Sequence, residues 1–310
     1  MSLHGLTDIT LGVPNVAETM EYYATFGLIP QPAAQPAEHW FGTVNGGTRQ
    51  LRIVHAPIRT LLCVGIGADD RDDLGRIGAS LQRLGISSGI DGDQLTTTEP
   101  VTGLKVSISI VPRINQQPVP PPPYNTPGNI ERPNLRAASL LRTAPVRPRR
   151  LGHVGIGSPD AAASRRFFTD GIGFKVSDEV KDHATFMRCS TDHHNLVIQG
   201  APVYFLHHSS WEVDDIDEIG RGAHAVLEGH PERHTWGIGR HWVGANFFYY
   251  LRDPAGNLSE YFSDMDEILD DQLWHPGVFD VESAANVWGP PMPSSLIEPD
   301  DLAALMAGLH

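Results

Sequence analysis

The sequence predicts an α+β protein of two homologous domains, each a pair of βαβββ modules curled into a half-open barrel. An internal repeat is the first ground for that expectation. The run LTDITLGVPNVAETMEYYATFGL from Leu6 matches LGHVGIGSPDAAASRRFFTDGIGF from Leu151, with Gly12 against Gly157 and Pro14 against Pro159. Further along, Asp72-Asp73-Leu74-Gly75-Arg76 lies against Asp217-Glu218-Ile219-Gly220-Arg221, and Gly75 to Gly220 spans the same interval as Leu6 to Leu151. A constant offset over two separated segments marks a duplicated unit. The second ground is the break between the copies, where Pro118-Val119-Pro120-Pro121-Pro122-Pro123 can enter neither a helix nor a sheet interior and reads as an extended linker. The third is the periodicity within each copy.

Taken in order, residues 9–13 and 154–156 read as strands, and residues 15–25 and 160–170 as helices entered after a proline and closed by glycine. Second helices are expected at 72–84 and 214–228, with further strands behind them. Alternate residues of a strand face opposite sides, so a curled pair of modules directs one set of side chains into a shared interior. The expected division is an N-terminal domain at 1–112 without metal, a Pro-rich linker at 113–150, a C-terminal metal-binding domain at 151–270, and an arm at 271–310. That arm, with Trp274-His275 and Trp288-Gly289-Pro290-Pro291-Met292-Pro293, reads either as a cover over the domain or as packing between subunits.

Composition narrows the function classes. A chain of 310 residues holds about two domains, and 40% hydrophobic with 19% charged residues is ordinary for a globular protein. The formal charge of −14 disfavours nucleic acid and anionic membrane, which need a basic surface. Cys63 and Cys189 are the only cysteines, too few for a disulfide framework or a cysteine-rich metal site. No apolar run of membrane length and no signal-peptide pattern occurs, so a cytoplasmic protein is expected.

Three residues stand out for their chemistry: His153 in LGHVGIG, His208 in FLHHSSWEV and Glu260 in RDPAGNLSEYF, each in a short β-like segment. Two imidazoles and one carboxylate on one face of an ion leave neighbouring coordination positions open, which suits Fe(II) and oxygen chemistry better than a closed structural zinc site. Manganese suits the same donors. Applying the repeat offset to the three positions leads to Asp8, Cys63 and about Asn115, which do not restore the ligand set. The N-terminal copy is therefore expected to serve packing or closure. Alternation along a strand makes His207 and His208 point opposite ways, so that one of them is not a ligand.

These features resemble the two-domain extradiol catechol dioxygenases of the vicinal oxygen chelate, or glyoxalase-bleomycin resistance, superfamily. The resemblance covers most of the chain. It rests on the duplication, on the order His, His, Glu, and on a signature-like run: Gly239-Arg240-His241, then Tyr249-Tyr250, Asp253-Pro254-Ala255-Gly256 and Glu260. Tyr249 departs mildly from the aliphatic residue or Phe usual there. The resemblance implies metal binding by His153, His208 and Glu260, acid/base catalysis by His194, and hydrogen bonds to oxygen or substrate from His241 and Tyr250. It places Phe186 beside the substrate, and Trp236 is a further candidate wall of that pocket. It implies Fe2+ as cofactor, with Mn2+ as the other choice, and a catechol and O2 as substrates of a homo-oligomer.

No cation precedes Arg240 in Thr235-Trp236-Gly237-Ile238-Gly239, which favours a hydrophobic or aromatic substituent over an acidic one. Two other readings remain at this stage. A glyoxalase-like isomerase would want a fourth protein ligand on the strand symmetric to that of Glu260, and residues 196–199 hold no acid. A non-catalytic aromatic-binding protein would not need an intact triad beside His194.

Overall fold

The computed structural model describes residues 3–32 and 39–308. Four βαβββ modules follow one another. The first is β1 (Leu3–Val13), α1 (Val16–Thr25), β2 (Ile29–Pro30), β3 (His39–Thr43) and β4 (Gly47–His55). The second is β5 (Thr60–Ala68), α2 (Arg71–Arg83), β6 (Ser88–Asp91), β7 (Gln94–Thr98) and β8 (Lys105–Ile110). After a mostly irregular stretch with the short α3 (Ala138–Leu141), the third runs β9 (Arg150–Ser158), α4 (Ala161–Arg166), β10 (Lys175–Val180), β11 (Ala184–Arg188) and β12 (Leu196–Gly200). The fourth runs β13 (Phe205–Glu212), α5 (Ile216–Leu227), β14 (His234–Arg240), β15 (Phe247–Arg252) and β16 (Leu258–Ser263). A C-terminal arm adds β17 (Val278–Phe279), α6 (Val281–Ala284) and α7 (Leu302–Ala307).

The strands form two mixed sheets, in the orders β2-β3-β4-β1-β5-β8-β7-β6 and β14-β15-β16-β13-β9-β12-β11-β10-β17. The α+β, two-barrel fold expected from the repeat is the fold found. In each sheet the first strands of the two modules pair antiparallel at the centre, β1 with β5 and β9 with β13. The last strand of each module lies parallel to its first, β4 with β1, β8 with β5, β12 with β9 and β16 with β13. Among the described residues no helix is long and apolar enough to cross a membrane.

Local chemistry explains the helix limits. Asp70 caps α2 by accepting from the Asp73 backbone N–H, and Asp215 caps α5 by accepting from that of Glu218. The aspartates before α5 also fasten the connecting segment, Asp215 pairing with Arg142 and Asp214 with Arg149. Helix α1 gives way to Gly27 at φ +105°, a left-handed position that glycine adopts without steric cost.

The two halves share one main hydrophobic core. Phe26, at the end of α1, stacks on Tyr261 of β16 with ring centroids 3.9 Å apart and planes 2° from parallel. The Tyr261 hydroxyl donates to the Phe26 carbonyl at 2.5 Å, and the Tyr22 and Ser259 hydroxyls meet at 2.5 Å. Helix α1 of the first half thus grips β16 through Ser259 and Tyr261, the neighbours of Glu260. Alternation turns Glu260 to the opposite face.

Register corrects one sequence expectation. Asp8 pairs with Gly65 and Gly65 with Ser107, as His153 pairs with Ser210 and Ser210 with Glu260. Ser107, not Asn115, is therefore the first-half counterpart of Glu260, because the second half spends eight more residues between His208 and Glu260 than the first does between Cys63 and Ser107. Asn115 lies beyond β8 in irregular chain.

Candidate metal centre

Three adjacent strands set the centre. His153 on β9 and Glu260 on β16 flank Ser210 of β13, and His208 lies two residues from Ser210 on the same face. All three candidate ligands are buried. Their donor atoms lie within 4.8 Å of one another. His153 Nε2 is 3.0 Å and His208 Nε2 is 3.7 Å from Glu260 Oε2. The chain allows this approach through Gly155, the residue paired with His208, where a Cβ would stand 2.5 Å from His208 Cε1.

These residues fit a metal ion. Among the described residues His208 Nε2 and Glu260 Oε2 are buried and have no hydrogen-bond partner, a costly arrangement unless something else satisfies them. Burial would raise the Glu260 carboxyl, yet His153 beside it holds it well below the usual carboxylate range. Burial, with His207 and His153 nearby, holds His208 well below the usual imidazole value, so it is neutral. A carboxylate and a neutral imidazole are the ligand forms a divalent cation needs. The other Glu260 oxygen, Oε1, accepts from Asn246 Nδ2 at 3.2 Å.

His207 and His208 do not point opposite ways as alternation predicts, although only His208 joins the candidate ligand group. A bulge between Leu206 and His208 disturbs the register, and both rings line one cavity with their Nδ1 atoms 2.6 Å apart. The second nitrogen of His207, Nε2, is 2.5 Å from the Leu296 carbonyl. Burial pushes His207 down to about 4, although the Leu296 carbonyl opposes the shift, so this ring is also neutral near pH 7.

The remaining candidates surround the same cavity. His194, Phe186, Trp236, His241 and Tyr250 all line it. The His194 ring sits 4.3 Å from that of His153 and meets Phe186 edge-on at 5.1 Å. Burial, with His153 next, holds His194 well below the usual imidazole value. His194 Nδ1 is 3.1 Å from Nδ1 of the buried His193, whose Nε2 is 2.9 Å from Asp178 Oδ2. A Cβ at Gly244 would come within 3.2 Å of the His194 ring. The Tyr250 hydroxyl is 3.1 Å from His241 Nε2, and His241 Nδ1 is 2.8 Å from the Ala285 carbonyl. A carbonyl only accepts, so His241 carries its proton on Nδ1 and, when neutral, accepts from Tyr250. Burial, with Glu260 nearby, raises the Tyr250 phenol well above its usual value, keeping it a donor.

Sequence reasoning passes over Asn246 and Asp178 and sets His193 aside in favour of its neighbour His194, because these roles depend on contacts between distant segments. The cavity has a volume of about 120 Å³, and its remaining wall is largely apolar, with Val180, Ala184, Val243, Ala284 and Met292. Among the described residues no lysine or arginine lines it.

Residues 150–261 match the Glyoxalase/Bleomycin resistance protein/Dioxygenase superfamily. The chain is 28% identical to metapyrocatechase 2 of Cupriavidus necator over 316 aligned positions, covering 96% of this chain and 92% of that protein. It is 28% identical to a manganese-dependent 2,3-dihydroxybiphenyl 1,2-dioxygenase of Geobacillus genomosp. 3 over 42% of this chain and 44% of that protein. In fold it is similar to the Mn(II)-bound glyoxalase from Novosphingobium aromaticivorans, with a TM-score of 0.76 at 24% identity over 96% of this chain and 95% of that one. The chain thus carries a domain of the glyoxalase, bleomycin resistance and dioxygenase superfamily and is a relative of its extradiol catechol dioxygenases.

Proposed function

We propose that this protein is an extradiol ring-cleaving dioxygenase acting on a catechol with a neutral, apolar substituent. The observation that carries the reading is the convergence of His153, His208 and Glu260 beside a cavity that the two imidazoles line together with His194, His241 and Tyr250. His153, His208 and Glu260 would hold the metal, Fe(II) in our reading with Mn(II) as the other choice, which supplies the redox centre where catechol and dioxygen meet. We further propose a cytoplasmic homo-oligomer, with the chemistry confined to residues 151–270 and its roof drawn from 271–310.

The chain's own groups do the rest. Catechol must shed a proton to bind as an anion, and neutral His194 accepts it in a buried setting that disfavours its charged form. With His193 neutral, its Nε2–H donates to Asp178 and its Nδ1 accepts from His194 Nδ1, leaving His194 Nε2 for the cavity. Held this way, His194 can return the proton to the oxygen that becomes the enol of the product. While His241 is neutral the single O–H of Tyr250 is donated to its Nε2; once His241 is protonated its Nε2–H donates instead, and the Tyr250 O–H is free to turn to where negative charge gathers on oxygen. Phe186 and Trp236 set the plane of the ring. The apolar wall excludes water and offers no counter-charge to an acidic side chain.

In the net reaction both atoms of dioxygen enter the product as the ring bond next to the diol breaks. The test is oxygen uptake on a panel of catechols after anaerobic loading with Fe(II) or Mn(II). One O2 consumed per catechol, with 3-methylcatechol ahead of 3,4-dihydroxybenzoate, is expected. No uptake with either metal and any catechol would overturn the reading.

A further inference from the structure

The arm reaches the metal centre through backbone carbonyls. From β17 onward it crosses the mouth of the cavity, where Val281, Ala284, Met292 and Leu296 complete the wall. Its backbone pairs with β14 at Arg240, through Arg240 N–H to the Trp288 carbonyl at 2.9 Å and Val287 N–H to the Arg240 carbonyl at 2.8 Å. The Trp236 indole donates to the Pro290 carbonyl at 2.8 Å, and Gln199 donates to that of Ile297 at 3.2 Å. At its far end Asp301 receives a two-pronged ion pair from the buried Arg59, at 2.6 and 2.7 Å. Arg59 also donates to the Leu206 carbonyl at 3.1 Å, beside the bulge that turns His207 inward. The arm is therefore seated on both halves of the molecule.

The contact with His207 has a definite consequence for His208. The Leu296 oxygen accepts only, so the proton of a neutral His207 sits on Nε2 and its Nδ1 is left with a lone pair. Nδ1 of His208, 2.6 Å away, must then be the donor. That places the only hydrogen of His208 on Nδ1 and leaves its Nε2 lone pair directed at the site it shares with Glu260 Oε2. By contrast, His153 Nδ1 is buried and has no hydrogen-bond partner among the described residues. The tautomer of only one of the two candidate imidazole ligands is set this way.

We propose that His207 is a positioning residue that couples the seating of the C-terminal arm to metal binding: Leu296, acting through His207, fixes His208 in the one tautomer that can ligate through Nε2. The inference rests on the assignment of His153, His208 and Glu260 as ligands, and it needs no catechol turnover to be tested. Coupling of this kind is reciprocal, so whatever the arm contributes to metal affinity the metal returns to the arm.

The test uses the full-length metal-free protein with Mn(II) as probe, reading Mn(II) affinity by calorimetry and arm order by amide hydrogen exchange of residues 285–297. In the wild type Mn(II) should bind once and slow exchange across that segment severalfold. His207→Leu removes both hydrogen bonds and should weaken Mn(II) binding by roughly ten- to a hundredfold, the usual effect of losing an outer partner of a ligand. Arm exchange in this variant should become indifferent to Mn(II). His207→Gln keeps a donor for Leu296 and an acceptor for His208, and should restore affinity to within about threefold of the wild type with metal-dependent arm protection.

Should His207→Leu fold poorly, Asp301→Asn loosens the arm from a distance and should both raise exchange at 285–297 and weaken Mn(II) binding severalfold. Wild-type Mn(II) affinity in His207→Leu, or an arm that ignores Mn(II) in the wild type, would overturn the proposal, as would a wild type that binds no Mn(II). Intact coupling in a protein that consumes no oxygen with any catechol would sink the dioxygenase reading alone.

Discussion

The two halves of the chain build the same trough and fill it with different chemistry. Across the first, Asp8, Gly65 and Ser107 stand in one row over three strands, with Cys63 two residues along from Gly65. Across the second, His153, Ser210 and Glu260 stand in the matching row, with His208 two residues along from Ser210. Sheet register therefore brings three side chains together in both places, and the donor set is the first thing that distinguishes a candidate metal centre from a polar cleft. The enclosures differ as well. The first trough is open, with a cavity volume of about 1160 Å³, whereas the second, under the arm, has about 120 Å³. In the first, the Asp8 carboxylate accepts from the neighbouring Thr7 hydroxyl, and burial raises it above its usual value.

The largest effect that separates the halves is expected at the carboxylate. Glu260→Gln should abolish stoichiometric Mn(II) binding and lower catechol turnover by more than about a thousandfold, because it removes a ligand charge from a fully buried position. Ser107→Ala, at the equivalent point of the other trough, should change turnover by less than about twofold. Equal losses in both variants, read by oxygen uptake and metal content, would show that the first trough takes part in the chemistry.

Next in size is the stability that one half lends the other. Phe26→Ala opens a hole against Tyr261 at the back of β16 and should cost about 3–5 kcal/mol in denaturant unfolding. Weaker Mn(II) binding should accompany it, since β16 carries Glu260 between the two residues that α1 grips. A variant that loses stability while keeping wild-type Mn(II) affinity would show that the metal site does not depend on this packing.

A smaller difference lies in the ion pairs at the start of the third module. Arg150 holds Asp192 at 2.6 Å and Glu212 at 2.6 Å, whereas the repeat offset puts Gly5 at the matching place in the first half. Burial raises the Asp192 carboxyl, but Arg150 outweighs it and leaves the group below its usual value. A carboxyl lowered by folding contributes stability in full above its unfolded value, near 4, and loses it as pH falls through the folded value. The melting temperature of the metal-free protein should therefore drop below about pH 4. In Arg150→Met that Asp192-linked acid loss should disappear, with lower stability already at pH 7. An unchanged acid limb in the variant would remove Asp192 from the account.

How much of this could be read beforehand follows from the kind of signal each feature leaves. The repeat exposes the four modules because each must bury the same face with the same turns, and the aspartates at 214–215 mark where one helix begins. The convergence of His153, His208 and Glu260 is legible because strand alternation and order place them on adjacent strands. The orientation of His207 is not legible, since a bulge leaves no trace in the spacing of HHSS. Nor is the arm's part in the site, because Leu296 and Ala285 act through carbonyls that every residue possesses. Ser107 is missed because loop lengths differ between the halves and a linear offset cannot follow register.

The smallest expected effect is also the most direct attack on the comparison: giving the first trough the donors of the second. Asp8→His, Cys63→His and Ser107→Glu together place the ligand set at matching register. The glycine that admits His208 has no counterpart, however, because the residue paired with Cys63 is Thr10, whereas His208 is paired with Gly155. A Cβ at Gly155 would stand 2.5 Å from the His208 ring, so Thr10 should block the grafted imidazole in the same way. The triple variant should therefore still bind one Mn(II) per chain, and adding Thr10→Gly should raise the stoichiometry to two. The new site should be weaker than the natural one by roughly ten- to a hundredfold, having no partner in the role of His207 or Asn246. Two ions in the triple variant would mean that the glycine is dispensable, and one ion in the quadruple variant that register and donors are not enough.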